Sequence, residues 1–171
     1  RSLAHPPYFV REIIAQMYHL GVKSFPLVAV ASFSVGLVLA MQGLQVLKLF
    51  GAANYIATSV AFTFVRGLGP LLSGIMLASR GGSGIGAELG SMRVTQQIDA
   101  LTVSAVNPIK YLVVTRVLAC MLISPLLAVA ANLIGILGGM LIGVFQLGMS
   151  PTYYYTLTIK YLTLKDVLPG I

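Results

Sequence analysis

Long stretches with few charged side chains constrain the folds open to this chain more than any other feature. Three of them occur among its 171 residues, at 24–47, 52–79 and 111–147, and Arg66 interrupts the second. A bilayer core about 30 Å thick is crossed by roughly 20 apolar residues in a helix. We therefore predict an all-α membrane protein with transmembrane helices at 24–48, 52–79 and 111–147.

The composition supports this class, because 57% of the residues are hydrophobic and only 9% are charged, whereas soluble domains are about 25% charged. The third stretch is uncharged from Val117 to Ile159 and has room for two short spans. No turn cluster divides it into two lengths of about 20 residues. We predict one long helix that is tilted and bent near Pro125.

The net charge of +7 would suggest a nucleic-acid partner in a soluble protein, but here the basic residues lie at the ends of the apolar stretches. Seven fall on one side of the predicted membrane, namely Arg1, Arg11, Lys23, Arg80, Arg93, Lys110 and Arg116, and three on the other, namely Lys48, Lys160 and Lys165. The positive-inside rule then orients the N-terminus towards the cytoplasm. Arg66 remains within the membrane, and no nucleic-acid partner is expected.

Two amphipathic segments flank the spans. Residues 7–22 place Phe9, Ile13, Met17 and Leu20 on one helical face, which predicts a helix lying in the headgroup plane; a soluble helix packed on a partner is the alternative. Residues 150–168 are rich in tyrosine, which favours the membrane interface. We expect a short periplasmic interfacial helix there.

Small residues recur at spacings that let helices approach closely. The three sets are Ser32, Gly36 and Ala40; Pro70, Gly74 and Ala78; and Gly135, Gly139 and Gly143. Helix association in lipid depends on such close approach. We interpret the sets as packing surfaces for other helices or for a second copy.

A polar segment, "ASRGGSGIGAELGSMRVTQQIDAL" at 78–101, interrupts the apolar pattern and opens with Gly81, Gly82, Gly84 and Gly86. It lacks the Lys-Ser/Thr pair of a phosphate-binding loop and follows no strand, so nucleotide binding is not indicated. Because glycine tolerates positive φ, we predict a flexible hinge at these four residues.

Beyond the glycines, the spacing predicts a cytoplasmic amphipathic helix at 86–105. Its apolar stripe is Val94, Ile98, Leu101 and Ala105, and its polar stripe is Glu88, Ser91, Thr95, Asp99 and Thr102. Asn107 and Pro108 end the helix. A helix in this position is suited to receive force from a soluble partner.

Two runs of sequence also carry a family resemblance. "AELGSMRVTQQIDAL" followed by "VNPIKYLVVTRVLA" closely resembles the signature of the MlaE/YrbE family, and "RGLGPLLSGIMLASRGGSGIGAELG" resembles the stretch before it. These proteins are permease subunits of ABC transporters that act with MCE proteins to move phospholipids between the membranes of diderm bacteria. The resemblance covers residues from about Phe9 to Ile171.

The resemblance implies an architecture and a set of partners. Family members have five membrane helices, so we expect this chain to be a fragment that lacks the last two, as its start at Arg1 without an initiator methionine also suggests. Two copies would form a homodimer in the inner membrane, with an ATPase subunit docked at 87–101 and a periplasmic ring of MCE subunits. ATP and Mg²⁺ would be bound by the ATPase, and no cofactor by this chain.

The resemblance also assigns candidate residues. Glu88, Arg93, Gln97 and Asp99 match the coupling signature, and Thr95 lies beside them, so this set is expected to face or brace the ATPase. In the second span the family commonly has Arg-Glu-Leu-Gly-Pro, whereas Gly67 stands here in place of the glutamate. That difference leaves the role of an acidic neighbour of Arg66 open.

The lipid path is predicted from the membrane-embedded residues. An arginine in the middle of a span costs about 2.5–3.5 kcal/mol on insertion scales and needs a partner. Arg66 meets either a lipid phosphate in an inner cavity or, equally well, backbone carbonyls or a carboxylate of another helix. Leu39, Gln42, Val46 and Phe50 of the first span are further candidates, although such a stripe also fits plain helix packing.

Catalysis by this chain is not expected. His5 and His19 have no metal-ligand spacing, Cys120 is the sole cysteine, and the four acidic residues form no acid/base pair in the sequence. Two other functions stay open: an ion-driven secondary carrier, which would need ionisable residues in repeated halves, and a scaffold that anchors a periplasmic lipid-binding ring without transport.

Overall fold

Every element among the described residues is a helix. The computed structural model describes residues 10–98, 103 and 113–161. In chain order the elements are α1 (Val10–Met17), a π-helical turn (Tyr18–Val22), α2 (Phe25–Leu49), a 3₁₀ turn (Ala53–Tyr55), α3 (Ile56–Thr63), a second π-helical segment (Phe64–Leu68), α4 (Gly69–Val94), α5 (Thr115–Leu147) and α6 (Pro151–Tyr161).

Among the described residues, three helical stretches are long and apolar enough to cross a membrane: Ile13–Leu49, Ala53–Val94 and Thr115–Leu147. They confirm the prediction of an all-α chain with three candidate membrane-spanning helices. The third stretch is one continuous helix of 33 residues with Pro125 inside it, and that it crosses the membrane once stays a prediction. Whether α1 lies in the headgroup plane stays a prediction.

Glycines at the ends of α2 and α5 let the chain leave each helix. Gly51 and Gly148 have φ values of 66° and 62°, in the left-handed region that glycine enters without steric cost. The N–H of Gly148 donates to the carbonyl of Val144 at 3.0 Å, and that of Ala52 to the carbonyl of Leu47 at 2.8 Å. Both bonds satisfy carbonyls that the helix end would leave unpaired.

The chain divides into two compact units: Arg1–Ser24 with Ile75–Ser124, and Phe25–Gly74 with Pro125–Ile171. Helices α4 and α5 each run from one unit into the other. The first unit holds the predicted coupling segment, and the second holds the predicted lipid path. Each is described separately below.

In the second unit, α2 and α5 cross at almost backbone contact. A Cβ on Gly36 would lie 2.1 Å from the carbonyl oxygen of Gly135, and one on Gly138 would lie 2.6 Å from that of Phe33. The buried side of α2 follows a spacing of four residues, through Val28, Ser32, Gly36, Ala40 and Leu44. The first and third predicted small-residue sets are therefore real packing surfaces.

The core of this unit forms where α3 and α6 pack on the glycines of α5. Phe64 is fully buried, and its ring occupies the space that a side chain on Gly135 would need, with Cε1 2.0 Å from the ideal Cβ position. Tyr154 of α6 lies against Gly139 and Gly143 in the same way. It belongs to the core with Ile56, Val60 and others.

Burial distinguishes the three adjacent tyrosines of α6. Tyr154 is only 1% exposed, whereas Tyr153 and Tyr155 are 48% and 64% exposed, and the location of the segment at the membrane interface stays a prediction. Glycine at 139 and 143 leaves room for one ring, so packing decides which of three adjacent tyrosines is buried. Burial also raises the pKa of Tyr154 above its usual range.

In the first unit, the π-helical turn and the residue after it contact α4 and α5. The guanidinium of Arg80 donates to the carbonyl oxygen of Lys23. Gly21 approaches Ile123 so closely that a Cβ there would lie 2.6 Å from its side chain, and one on Gly81 would lie 3.3 Å from Leu20. As in the second unit, the helices contact each other closely where one of them carries a glycine.

Candidate functional site

The four glycines predicted as a hinge lie inside a continuous helix. Gly81, Gly82, Gly84 and Gly86 all belong to α4, which runs from Gly69 to Val94, and among the described residues only Gly51 and Gly148 are glycines with positive φ. The prediction that the chain turns at these glycines is therefore wrong, whereas the residue at which the second span leaves the membrane stays a prediction.

The physical reason is a difference of magnitudes. A glycine within a helix costs only about 0.5–1 kcal/mol relative to alanine. Opening the helix would leave backbone groups unpaired, at several kcal/mol each in an apolar environment. Glycine permits a turn without imposing one, and the helix persists.

The turn comes instead after Val94. Gln96 has φ 55°, which is uncommon for a residue with a side chain, and its N–H donates to the carbonyl of Arg93 at 3.2 Å. The hydroxyl of Thr95 donates to the carbonyl of Ser91 at 2.8 Å. The separate helix predicted at 86–105 is thus divided: its first part is the end of α4, and the apolar stripe is broken between Val94 and Ile98.

The predicted coupling residues occupy different environments. Arg93, Thr95 and Gln97 are exposed at the end of α4 and in the turn after it, and Arg93 makes a further interaction within the chain. Val94 beside them is 85% exposed. Asp99 lies outside the described residues. We call Arg93, Val94, Thr95 and Gln97 the terminal surface of α4.

Glu88 forms an ion pair with a buried residue of α5. Its Oε2 lies 2.8 Å from Nη2 of Arg116, whose side chain is only 5% exposed, while Glu88 itself is 51% exposed. Sequence analysis counted Arg116 only as one positive charge beside a span. The pairing brings the polar end of α4 against the beginning of α5.

Arg66 lies in the π-helical segment Phe64–Leu68, a departure from α-helix that often occurs at functional sites. The residue is exposed within the described chain, its guanidinium carbon lies 4.9 Å from the centroid of the Phe62 ring, and it has a further interaction. A cation over a ring contributes about 0.5–2 kcal/mol. Nothing lies within 4 Å of the position of a Cβ on Gly67.

Two of the four lipid-path residues predicted in the first span lie together. Leu39 and Gln42 line a groove of about 300 Å³ with Ser34, Val35 and Val38. Val46, 55% exposed, lies further along α2, and Phe50, 79% exposed, follows the helix end; neither lines this groove. The groove is mostly apolar, and Gln42 and Ser34 supply its polar groups.

Sequence reasoning missed a larger cavity of about 500 Å³ in the second unit. It lies between α5 and α6, with Asn132 and Tyr154 among its lining residues. Asn132 is 7% exposed, its Oδ1 has no hydrogen-bond partner in the described part of the chain, and it lies against Gly69, where a Cβ would come within 1.7 Å. The lone asparagine of a long apolar span was the available signal.

Within the described residues, no three His, Cys, Asp or Glu side chains are grouped closely enough to hold a metal ion. The polar features of this part of the chain are instead the terminal surface of α4, the Glu88–Arg116 pair, Arg66 and the groove on α2.

Comparison with known proteins connects these features to a family. The sequence model described as "Permease MlaE" matches residues 13–171. A probable ABC transporter permease of Rickettsia typhi is 41% identical over 170 residues, which are 99% of this chain and 66% of that protein. A probable ABC transporter permease of Synechocystis is 34% identical over 157 residues, 92% of this chain and 60% of that protein.

A third relative carries a more specific name. The intermembrane phospholipid transport system permease protein MlaE of Haemophilus influenzae is 33% identical over 144 residues, which are 84% of this chain and 55% of that protein. The chain spans about two thirds or less of the length of these relatives.

Proposed function

The chain belongs to the MlaE permease family, and from this we propose that it is the transmembrane subunit of an ATP-driven ABC transporter that moves phospholipids between two membranes. The name of the Haemophilus influenzae relative supports phospholipid as the substrate. We further propose an inner-membrane location, a partner ATPase that binds ATP and Mg²⁺, a periplasmic ring of MCE subunits, and a second copy of this chain. The chain itself would be non-catalytic.

One observation carries the coupling part of this proposal: the exposed terminal surface of α4 is continuous with a helix long enough to cross the membrane. Helix α4 has 26 residues, or about 39 Å at 1.5 Å per residue. An unbroken helix moves as a rod, so displacement of Arg93 by an ATPase would be carried along α4. The glycines then serve packing rather than bending.

The distribution of basic residues supports a cytoplasmic location for this surface. Arg11 and Lys23 precede α2, and Arg80, Arg93 and Arg116 lie on α4 and at the beginning of α5, whereas Lys48 lies at the end of α2 and Lys160 in α6. The positive-inside rule assigns the richer first group to the cytoplasm.

For the substrate route we propose the exposed side of α2 together with Arg66. The groove at Leu39 and Gln42 offers an apolar surface for an acyl chain, and Arg66 offers a positive charge for a phosphate. The second copy of the chain would pack on α4, where Ala78, Gly82, Gly86 and Gly90 are exposed at spacings of four residues.

The test of coupling is co-purification of the full-length permease with its ATPase subunit. Replacing Arg93 and Gln97 together by glutamate places negative charge on the terminal surface, and we expect loss of the ATPase from the purified complex. The matched control is Lys48→Glu, which reverses an exposed charge at the end of α2. ATPase binding that is equal in both variants would contradict the proposal.

A second measurement separates transport from a scaffold role. In proteoliposomes that contain the whole complex, ATP should drive transfer of a fluorescent phospholipid, and the Arg93/Gln97 double variant should abolish it. A complex that assembles fully but shows no ATP-dependent transfer would favour the scaffold.

A further inference from the structure

The contact between Glu88 and Arg116 joins two segments that the proposed function treats separately. Glu88 lies on α4, two turns before its end at Val94, and Arg116 is the second residue of α5. Their side-chain atoms are 2.8 Å apart, within the same compact unit. The pair therefore connects the terminal surface of α4 to the start of the third membrane-spanning helix.

Arg116 is the buried member of this pair, and it makes a further interaction within the chain. Its side chain is 5% exposed, and a buried charge needs pairing. The first turn of α5 contains no acidic residue, although the N-terminus of a helix favours negative and disfavours positive charge. Glu88 supplies from α4 the anion that the beginning of α5 lacks.

A groove of about 290 Å³ opens beside the pair, and Arg116 is part of its wall. Its apolar lining comes from α4 and from the chain at and just before the beginning of α5, namely Ile85, Leu89, Val113, Val117, Cys120 and Met121. The ion pair is therefore a close contact between α4 and α5 at the edge of an open groove.

We infer that Arg116 is a positioning residue and that the Glu88–Arg116 pair transmits movement of the end of α4 to α5. This inference rests on the proposed coupling function and changes the role expected for Glu88. Glu88 acts inside the chain, while Arg93 and Gln97 meet the ATPase. A displacement at the terminal surface then moves two membrane helices together instead of one.

The test measures lipid transfer per ATP hydrolysed in the complete complex, with ATPase co-purification and thermal unfolding measured in parallel. We expect Glu88→Gln and Arg116→Met each to retain the ATPase but to lower transfer per ATP by about tenfold, within the range usual for coupling between sites. The exchange of charges, Glu88→Arg with Arg116→Glu, should restore much of that loss, because it re-forms the pair and places a carboxylate at the start of α5.

Several outcomes would overturn the inference. One is an unchanged ratio of transfer to hydrolysis in both single variants; another is an exchange variant no better than the singles. If the single variants fail to fold, Glu88→Asp and Arg116→Lys take their place. Lipid transfer per ATP equal to wild type, together with a lowered melting temperature, would show that the pair only stabilises the fold. Loss of ATPase binding in Glu88→Gln would show that Glu88 contacts the ATPase and would overturn the inference. Absence of the ATPase from the wild-type complex would instead refute the proposed function itself.

Discussion

Replacement of Gly36 by alanine tests the close crossing of α2 and α5. The added Cβ would lie 2.1 Å from the carbonyl oxygen of Gly135, and its further neighbours at 2.9 Å and 3.1 Å are also backbone atoms of Gly135. Backbone cannot rotate away as a side chain can. The two helices must therefore separate by roughly 1 Å at this point, against the close packing of the interior.

The size of the effect follows from overpacking. Forcing an extra methyl group into a well-packed interior costs about 1–3 kcal/mol. One kcal/mol shifts the melting temperature by about 2–4 °C in a chain of 150–250 residues. We expect Gly36→Ala to lower the melting temperature of the detergent-purified protein by about 2–12 °C.

Two other glycines provide a graded comparison. A Cβ on Gly43, in the same helix, would lie 3.2 Å from the end of the Ile56 side chain, which can move, and one on Gly84 of α4 meets nothing within 4 Å. Gly43→Ala should therefore have a small effect, and Gly84→Ala should be neutral or stabilising by up to about 1 kcal/mol. A Gly36→Ala variant that melts with the wild type, or no earlier than Gly84→Ala, would refute the proposed crossing.

Three more predictions concern the second unit. Gly69→Ala should lower the free energy of unfolding by about 1–3 kcal/mol, because its Cβ would meet Oδ1 of Asn132 at 1.7 Å. In a double-mutant unfolding cycle, Gly69→Ala with Asn132→Ala should lose less stability than the sum of the two single variants. Tyr154→Phe should leave stability unchanged or raise it, since the hydroxyl has no partner in the described part of the chain. Tyr154→Ala should lower the free energy of unfolding by about 3–5 kcal/mol. Equal melting temperatures of the two variants would contradict this prediction. Arg66→Met should reduce lipid transfer in proteoliposomes by about tenfold or more if the guanidinium binds phosphate, and Arg66→Lys should give an intermediate rate. The control for insertion of a charged side chain is Gly67→Glu, which should fold normally because a Cβ at Gly67 has open space around it.

The sequence predicted the number of spans and the surfaces on which they pack. Apolar length is a property of composition alone, so the spans followed from counting. The spacing of Ser32, Gly36 and Ala40 likewise indicated a buried side of α2, and each of these residues is buried. Small residues at intervals of four have few uses in a membrane helix besides close approach.

The same reasoning failed where a residue permits more than one conformation. Glycine is compatible with a turn and with a helix, and the backbone hydrogen bonds of α4 decided in favour of the helix. Three adjacent tyrosines are equivalent in composition, but only Tyr154 faces the glycines of α5. Choices of this kind depend on neighbours that are distant in sequence.

What the sequence determined alone and what only the tertiary structure decided differ in how far apart the interacting residues lie along the chain. Hydrophobicity and spacing act within one helix, and they determined by themselves that the chain crosses a membrane and which faces of α2 and α5 pack. The partner of Glu88 is Arg116, on another helix, and that of Asn132 is Gly69. Such pairs come together only when helices pack, because a side chain is specified by its own sequence but its contacts are specified by the folded chain.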